Sequence, residues 1–334
     1  MAAVSKSWTP VVPELKERQD EFIIRTRDLS KRFGDEYAVR DVTFDVPRGT
    51  IFGFIGPSGS GKTTTIRMLT GYYAPTEGEV IVFDRPPTKF SQSMREKIGY
   101  MPQLFVLYPN LSVWENLNFT ASIYGMKFFR NKELNEVLDF VELREHKDKL
   151  ARNISGGMQR RLTLATTLVH NPQLIFLDEP TTGIDPVLRS KIWDHFRELR
   201  GRGRTLFVTT QYVGEAAYCD LVGVMGDGTL ITVDTPDGLR HQAYGGEIVE
   251  LQTTEPQDYR FEQQLRGLPF VKGRISRRSD TEFRLIVDEA STAMPALLDW
   301  CREQGVSIES VEEYTPPFDD VFVQLVERQR NHAA

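Results

Sequence analysis

The residues best suited to chemistry in this sequence are a lysine and a threonine that end a glycine-rich stretch. The spacing is G-x-x-x-x-G-K-[ST], that of a phosphate-binding loop. It is filled by Gly56, Pro57, Ser58, Gly59, Ser60, Gly61, Lys62 and Thr63. Glycines let backbone N–H groups point at phosphate oxygens, and a helix N-terminus at Thr64 adds partial positive charge. We therefore predict a triphosphate site in which Lys62 reaches the β- and γ-phosphates and the Thr63 hydroxyl binds Mg²⁺.

The flanks of this loop fit the same interpretation. An apolar run of strand length, Ile51–Ile55, stands directly before it, and residues 64–69 have helical spacing with Ile66 and Leu69 on one face. The alternative is a chance glycine-rich turn. Such a turn is not expected to fill every fixed position between a buried strand and a helix.

Two acids form the second candidate group. Asp178 and Glu179 directly follow the continuous apolar run 174–177, which is typical of a strand buried on both faces. Open α/β sheets bind their ligands at the carboxyl ends of such strands. We expect Asp178 to hold Mg²⁺ and Glu179 to polarise an attacking water. A solvated acidic loop is the alternative, and the phosphate loop upstream argues against it.

Two further stretches carry a functional and a plain structural interpretation. Ser155, Gly156 and Gly157 begin a predicted helix, where glycines are costly unless backbone N–H groups must face an anion. The alternative is an ordinary capped helix start. Phe33 lies between two predicted strands, ahead of the phosphate loop, and we expect it to stack on a nucleobase. The alternative is a core or turn aromatic.

The elements that must position these residues follow from apolar periodicity. Strands are predicted at residues 21–28, 38–46, 51–55, 78–83, 98–101, 174–177, 206–208, 221–225 and 229–233. A helical subdomain is predicted at about 104–170, with helices at 112–124 and 132–141; Ser112 and Glu115 form a capping box. A helix begun by Pro186 is expected over 186–199. This pattern predicts an α/β domain at residues 21–240, after a solvated tail at 1–20.

A second domain is predicted at residues 241–334, after a linker near 235–246. Its elements alternate in the order β-α-β-β-α-β, the ferredoxin-like α+β arrangement, and a last helix is predicted at 319–328.

Composition limits the function classes. The 334 residues carry a net charge of −6, which argues against nucleic acid as the main partner. Two cysteines form no disulfide framework or metal cluster, so a reducing compartment is expected. No apolar run approaches the roughly 20 residues that span a bilayer, and the N-terminus lacks an apolar signal core. Any membrane role is therefore expected to come through a partner.

Five features follow one another along the chain in a fixed order. They are the phosphate loop, Gln103, the stretch 154–159, the two acids and the stretch 183–186. This order resembles the nucleotide-binding subunit of an ATP-binding cassette (ABC) transporter over about residues 21–238. The resemblance implies a P-loop NTPase fold, an ABC-type cassette with an antiparallel β subdomain and a helical insert. It also implies ATP and Mg²⁺ as cofactors, hydrolysis of ATP, and a dimer with a second copy or a homologous subunit.

The resemblance also implies roles for single residues. Phe33 becomes the aromatic that stacks on adenine, and Gln103 the glutamine that contacts Mg²⁺ and the attacking water. The 155–157 stretch becomes the signature that closes over the γ-phosphate of ATP held by the other subunit. Asp185 becomes the residue that crosses the dimer interface.

One position departs from the family pattern. The family usually has a histidine after the strand predicted at 206–208, where it contacts the γ-phosphate, and this chain has Gln211. A glutamine amide can donate a hydrogen bond but cannot become a cation near neutral pH. We therefore expect Glu179 to be the base, with Gln211 as a catalytic contact.

The stretch 209–212 and the ending 317–322 resemble the daunorubicin-resistance type of drug-export ATPase. The resemblance implies an ATPase that powers export through a separate transmembrane permease, held at the cytoplasmic face of the membrane by that partner. The alternatives are a soluble, non-transport ABC ATPase and a regulatory module that binds nucleotide without turnover. The five apolar residues 104–108 are expected to line a groove for a short cytoplasmic helix of the permease, or else to form the insert's own small core.

Overall fold

The computed structural model describes residues 21–104 and 106–333. The tail predicted at residues 1–20 and the predicted groove residue Phe105 lie outside the described residues. The chain divides into two units between Asp234 and Thr235.

The first unit contains two sheets. Its strands are β1 (Phe22–Phe33), β2 (Glu36–Pro47), β3 (Ile51–Ile55), β4 (Glu77–Val82), β5 (Ile98–Met101), β6 (Leu174–Asp178), β7 (Thr205–Thr210), β8 (Leu221–Gly226) and β9 (Thr229–Asp234). Six strands form one sheet in the order β5-β6-β7-β3-β8-β9, parallel except for the β8–β9 pair. Every residue of β3, β6 and β7 is buried, as is usual for the central strands of a parallel sheet.

An antiparallel sheet of three strands, in the order β2-β1-β4, packs on the larger one. Phe44 of β2 contacts Phe52 and Phe54 of β3 and Phe207 of β7, with ring centroids 5.4, 5.5 and 6.0 Å away. All four rings are fully buried. Each such pair contributes about 0.5–1.5 kcal/mol beyond its buried area, so this cluster anchors β3 and the start of the phosphate loop.

The helices of the first unit match the predicted ones closely, except for one short helix at Gln92–Arg95 that was not predicted. They are α1 (Lys62–Leu69), α2 (Gln92–Arg95), α3 (Val113–Ile123), α4 (Asn131–Phe140), α5 (Gly156–Leu168) and α6 (Pro186–Gly201). The predicted capping box is present: Glu115 N donates to Ser112 Oγ over 3.1 Å, and Ser112 N donates to Glu115 Oε2 over 2.7 Å. Helices α3, α4 and α5 form the predicted insert, which confirms the cassette fold expected from the resemblance.

The second unit is a four-stranded antiparallel sheet with helices. Its elements are α7 (Pro236–Tyr244), β10 (Glu247–Thr253), α8 (Tyr259–Arg266), β11 (Val271–Arg277), β12 (Glu282–Val287), α9 (Ala290–Glu303), β13 (Ile308–Glu313) and α10 (Phe318–Ala333). The strand order β11-β12-β10-β13 is that of a ferredoxin-like fold, as predicted.

The predicted linker at 235–246 is wrong, because most of it is helix α7. Thr235 caps this helix, its hydroxyl accepting from Gly238 N over 3.1 Å, and Pro236 occupies the first position, where a missing N–H costs nothing. Leu239 and Ala243, four residues apart, are buried.

None of the helices in the described part of the chain has both the length and the apolar character of a membrane-spanning helix. The longest, α6 and α10, have 16 residues each.

Candidate nucleotide-binding and hydrolysis site

Strand register brings the predicted site residues to one edge of the six-stranded sheet. In the parallel pairs, Ile55 lies opposite Thr210, and Asp178 lies opposite Thr209. The phosphate loop after β3, the two acids at the end of β6 and the glutamine after β7 therefore begin at the same edge. Gln103 follows β5, the strand beside β6. This is the edge at which open α/β sheets bind their ligands.

The phosphate loop lies close against its neighbours. A Cβ on Gly56 would lie 2.5 Å from the backbone oxygen of Met225, and one on Gly61 would lie 2.5 Å from that of Ala38. Gly61 also has a φ of +95°, in the left-handed region that glycine adopts readily. Within the loop, the buried Ser60 Oγ has no hydrogen-bond partner among the described residues. A phosphate oxygen is a suitable acceptor for it.

The ammonium group of Lys62 contacts the backbone at the start of this loop. It donates to the backbone oxygens of Gly56 and Pro57, both at 2.8 Å, and the residue is buried. Burial lowers the pKa of Lys62, and the nearby carboxylates Glu179 and Asp178 oppose that shift. An ammonium group has three donors, so a phosphate oxygen can be a further acceptor. Lys62 is the first residue of α1, and the candidates Thr63 and Thr64 follow it in the first turn.

Asp178 is completely buried beside the phosphate loop. Its Oδ1 accepts from Thr209 Oγ1 over 2.5 Å and from Thr63 Oγ1 over 3.2 Å. Burial raises the pKa of Asp178, and the two hydroxyl donors oppose that shift. Its other oxygen, Oδ2, is buried without a hydrogen-bond partner among the described residues. A buried carboxylate oxygen of this kind is costly unless a cation binds it.

Glu179 is held by contacts on both its backbone and its side chain. Its N–H donates to the backbone oxygen of Thr209 over 3.0 Å and to the hydroxyl of Thr209 over 3.1 Å. Its Oε2 accepts from Gln103 Nε2 over 3.0 Å and from Thr182 Oγ1 over 3.4 Å. The φ of Glu179 is +51°, an uncommon conformation for a residue with a side chain. Such a conformation persists where the surroundings impose it.

Arg160, in α5, was not anticipated as a site residue. It is buried, and its guanidinium donates to the backbone oxygen of Gln103 and to backbone oxygens on both sides of Glu179. Burial lowers the pKa of Arg160, and the carboxylates Asp178 and Glu179 oppose that shift. The sequence carries a signal for it, because Arg160 is in helical phase with the buried Leu164 and Thr167. A cation on a buried helix face requires partners.

Phe33 lies at the end of β1, not in a loop, and its side chain is 46% exposed. One edge contacts Tyr73, with ring centroids 5.3 Å apart and planes at 72°, and Lys31 Nζ lies 5.4 Å from its centroid. This exposure excludes the alternative of a core aromatic, but not that of a turn aromatic. The exposed ring is suitable for stacking on a base, and its contact with adenine stays a prediction.

The predicted signature, residues 155–157, lies at the protein surface where helix α5 begins. Ser155 and Gly156 are exposed, and Ser155 caps the helix, its Oγ accepting from Met158 N over 3.3 Å. A Cβ on Gly156 or Gly157 would meet no atom of the described residues within 4 Å, so packing within that part of the chain does not require these glycines. Asp185 is also exposed and caps α6 by accepting from Leu188 N over 3.0 Å. The structure thus gives Ser155 and Asp185 capping roles, and their roles toward a second subunit stay predictions.

The residues at this edge fit a magnesium ion. Asp178 supplies an unpartnered buried carboxylate oxygen, and the Thr63 hydroxyl already lies within hydrogen-bond distance of the same carboxylate. Gln103, which is exposed, supplies an amide group beside them. Hard oxygen ligands from a carboxylate and a hydroxyl suit Mg²⁺, together with phosphate oxygens of a nucleotide.

Comparison with known proteins agrees with this geometry. Residues 39–182 match the family model of the ABC transporter, and residues 235–326 match that of the C-terminal domain of DrrA1-3-like ATP-binding proteins. The Nod factor export ATP-binding protein I of Rhizobium etli is 33% identical over 318 residues, which cover 93% of this chain and 97% of that protein. The chain belongs to the ABC transporter family of ATP-binding proteins. The predicted family and the predicted resemblance to daunorubicin-resistance-type ATP-binding proteins are therefore confirmed.

Two further matches define how far the likeness extends. The probable multidrug ABC transporter ATP-binding protein YbhF of Escherichia coli is 39% identical over 228 residues, which cover 68% of this chain but 39% of YbhF. A dimeric ABC cassette bound to ADP and Pi has a TM-score of 0.59 at 28% identity, covering 64% of this chain and 98% of that cassette. This ABC protein therefore carries one complete ATP-binding cassette and a second, DrrA-like domain.

Proposed function

We propose that this ABC protein hydrolyses ATP and thereby powers export of a substrate through a separate transmembrane permease. The observation that carries the proposal is the register of β3, β6 and β7, which joins the phosphate loop, Asp178, Glu179 and Gln211 at one sheet edge. The export direction is proposed because relatives are named as multidrug and Nod factor export proteins. A location at the cytoplasmic face, through the permease, follows from this assignment.

In the proposed mechanism, the loop N–H groups and Lys62 bind the β- and γ-phosphates. Glu179 accepts a proton from the attacking water, and Gln211 donates a hydrogen bond to the γ-phosphate. The Gln103 amide donates to Glu179 Oε2, so Oε1 of the same carboxylate is the oxygen left to accept the proton. The hydrogen bonds from the Lys62 ammonium group to phosphate oxygens are charge-assisted, and such bonds are roughly twice as strong as neutral ones. Lys62 therefore dominates nucleotide affinity.

Thr63, Asp178 and Gln103 are the residues that we propose to hold Mg²⁺. When bound, the ion neutralises charge that develops on the phosphate oxygens. The Asp178 carboxylate, raised in pKa by burial, gains a cationic partner in that state.

Two subunits are proposed to share each nucleotide. The exposed signature residues Ser155 and Gly156 and the open space around Gly157 support this, because none of the residues that the structure describes in this chain fills that space. The partner is a second copy or a homologous ATP-binding subunit. The dimeric cassette structure described above supports a dimer as the working unit.

The permease contact is proposed for the predicted groove on the insert. Leu104 and Val106 are 80% and 68% exposed, so these two residues do not belong to a small core, whereas Leu107 is half-buried. Tyr108 packs edge-on against Phe119 of α3, with ring centroids 4.8 Å apart. This exposed apolar surface directly follows Gln103 in the chain. A movement of Gln103 at the catalytic edge can therefore change the position of the surface that contacts the permease.

Phosphate release and nucleotide titration test the proposed activity. The purified chain should release phosphate from ATP in a Mg²⁺-dependent manner. Lys62→Ala should weaken binding of a fluorescent ATP analogue by about 10- to 100-fold, since a hydrogen bond to a charged group contributes about 1.5–3 kcal/mol. Unchanged affinity in this variant, or a parent without phosphate release, contradicts the proposal.

A further inference from the structure

The side chain of Arg160 connects three segments of the first unit. Its guanidinium donates hydrogen bonds to five backbone carbonyl groups at distances up to 3.4 Å. The acceptors are the oxygens of Pro102, Gln103, Asp178, Glu179 and Pro180. Two of these residues follow β5, three lie at the end of β6, and Arg160 itself lies in α5.

Each connected segment carries a different part of the proposed catalytic machinery. The segment after β5 carries Gln103, and Arg160 NH1 donates to its backbone oxygen over 2.7 Å. The segment at the end of β6 carries Glu179, whose two neighbours in the chain, Asp178 and Pro180, also accept from Arg160 at 3.0 and 3.1 Å. Helix α5 begins directly after Ser155. One side chain thus joins the signature helix, the glutamine and the base.

The chemistry of the guanidinium suits this task. It is planar, permanently charged and has five N–H donors in a fixed fork, so one group can satisfy carbonyls in several directions. Arg160 is 3% exposed, and water cannot replace these donors readily. A lysine at this position carries the same charge but lacks the fork.

The strained backbone of Glu179 needs such support. Its φ of +51° persists only if neighbouring contacts fix it. Thr209 fixes the N–H of Glu179, and Arg160 holds its carbonyl oxygen and those of the residues before and after it. Both ends of the Glu179 backbone are therefore held in place.

We propose that Arg160 is a positioning residue for hydrolysis, which fixes the backbones of Glu179 and Gln103 relative to the signature helix. This inference rests on the proposed ATPase function. It makes catalysis, rather than nucleotide binding, depend on Arg160, because none of its five acceptors belongs to the phosphate loop. If helix α5 moves when two subunits close, Arg160 then moves the backbone of the base, Glu179, with it.

The test compares Arg160→Lys and Arg160→Gln with the parent and with Glu179→Gln. Measured quantities are kcat and KM for phosphate release, affinity for a fluorescent ATP analogue, and Tm. A misplacement of about 1 Å costs up to about 100-fold, so we expect kcat to fall by about 10- to 100-fold, with KM and nucleotide affinity unchanged. In the Glu179→Gln background, the same changes should alter the residual turnover little, since the base that they misplace is already absent.

Arg161→Lys is the matched control. Arg161 is the next residue of α5 and also donates to backbone oxygens, those of Val141 and Glu142 at 3.0 and 3.2 Å, away from the catalytic edge. Its replacement should leave kcat at the parent value. This outcome separates loss of a general helix contact from loss of positioning.

Several results overturn the inference. Parent-like kcat in Arg160→Lys removes the positioning role, and an equal fold-loss in the parent and Glu179→Gln backgrounds assigns Arg160 to stability alone. Failure of both Arg160 variants to fold likewise assigns the residue to stability. A parent that releases no phosphate contradicts the proposed function instead, and is recognised before any Arg160 variant is compared.

Discussion

The side-chain amide of Gln103 donates a hydrogen bond of 3.0 Å to Oε2 of Glu179. The predicted base and the predicted metal-contacting glutamine are thus direct partners, although 76 positions separate them in the chain. The bond leaves Oε1 of Glu179 to accept a proton from water in the proposed mechanism. A movement of Gln103 would therefore change the contacts of the proposed base, and Gln103 lies beside the exposed apolar residues proposed to contact the permease.

Replacing the base should separate ATP binding from hydrolysis. Glu179→Gln keeps the shape of the side chain and its ability to accept from Gln103, but removes the carboxylate. We expect phosphate release to fall by about 10²- to 10⁴-fold, with nucleotide affinity retained. Size-exclusion chromatography with Mg²⁺-ATP should show a trapped dimer. Turnover close to that of the parent would assign the base to another residue.

The burial of Asp178 predicts a pH-dependent stability. Its pKa is raised in the folded protein, so the folded state binds the proton more tightly than the unfolded chain. Ionised Asp178 thus destabilises the fold at pH values above its raised pKa, and this penalty fades as the pH falls toward the ordinary carboxyl value of about 4. Asp178→Asn removes the charge while keeping an oxygen that can accept from Thr209 and Thr63.

We therefore expect Asp178→Asn to raise the Tm of the nucleotide-free protein at pH 8, by about 2–4 °C for each kcal/mol relieved. The difference should shrink as the pH falls toward 4. In Asp178→Asn, Mg²⁺ should increase the ATP-induced rise in Tm by less than it does in the parent. Asp35→Asn, at an exposed acid between β1 and β2, is the control and should match the parent. A Tm gain that grows at low pH contradicts the argument.

The residues that the sequence identified are those whose role depends on a local pattern. The glycine spacing around Lys62 and the acids at the end of a buried apolar run are short-range signals, and the register of the parallel strands joins them. Helix α7 also has local signals, a Thr235 cap and Pro236 at the first helical position, although a linker was predicted there. Arg160 is different, because its partners lie 18 to 58 positions away and only the folded chain brings them together.

Gln211 tests whether a neutral amide can replace the family histidine. It is exposed after β7, and its proposed contact with the γ-phosphate forms only in the closed state. Gln211→Ala should therefore lower kcat more than it weakens nucleotide binding. Gln211→His should retain activity, since an imidazole can also donate a hydrogen bond. If the alanine variant turns over like the parent, Gln211 has a structural role only.

Mixed dimers test whether two subunits share each nucleotide. Ser155→Arg should block hydrolysis without weakening binding to the subunit's own phosphate loop, because its bulk prevents closure on the other subunit. Dimers of Ser155→Arg with Lys62→Ala contain one site with both defects and one with neither. Nucleotide-dependent closure should therefore recover at the intact site, and its absence contradicts a shared site. Ser155→Ala, which removes the α5 cap at a cost of about 1 kcal/mol without adding bulk, controls for helix stability.

The exposed apolar residues after Gln103 give the last prediction, which concerns the permease. Leu107 is half-buried, so a charge there tests folding as much as docking; Leu104 and Val106 are the sharper positions because both are exposed. Leu104→Asp and Val106→Asp should leave Tm, nucleotide affinity and phosphate release of the isolated subunit unchanged. They should prevent co-purification of the tagged chain with its membrane partner from detergent-solubilised membranes, since a buried unpaired charge costs far more than an exposed one. Phe128→Asp and Phe129→Asp, at residues 96% and 100% exposed before α4, are matched controls and should co-purify normally. If the Leu104 and Val106 variants also assemble normally, the permease binds elsewhere.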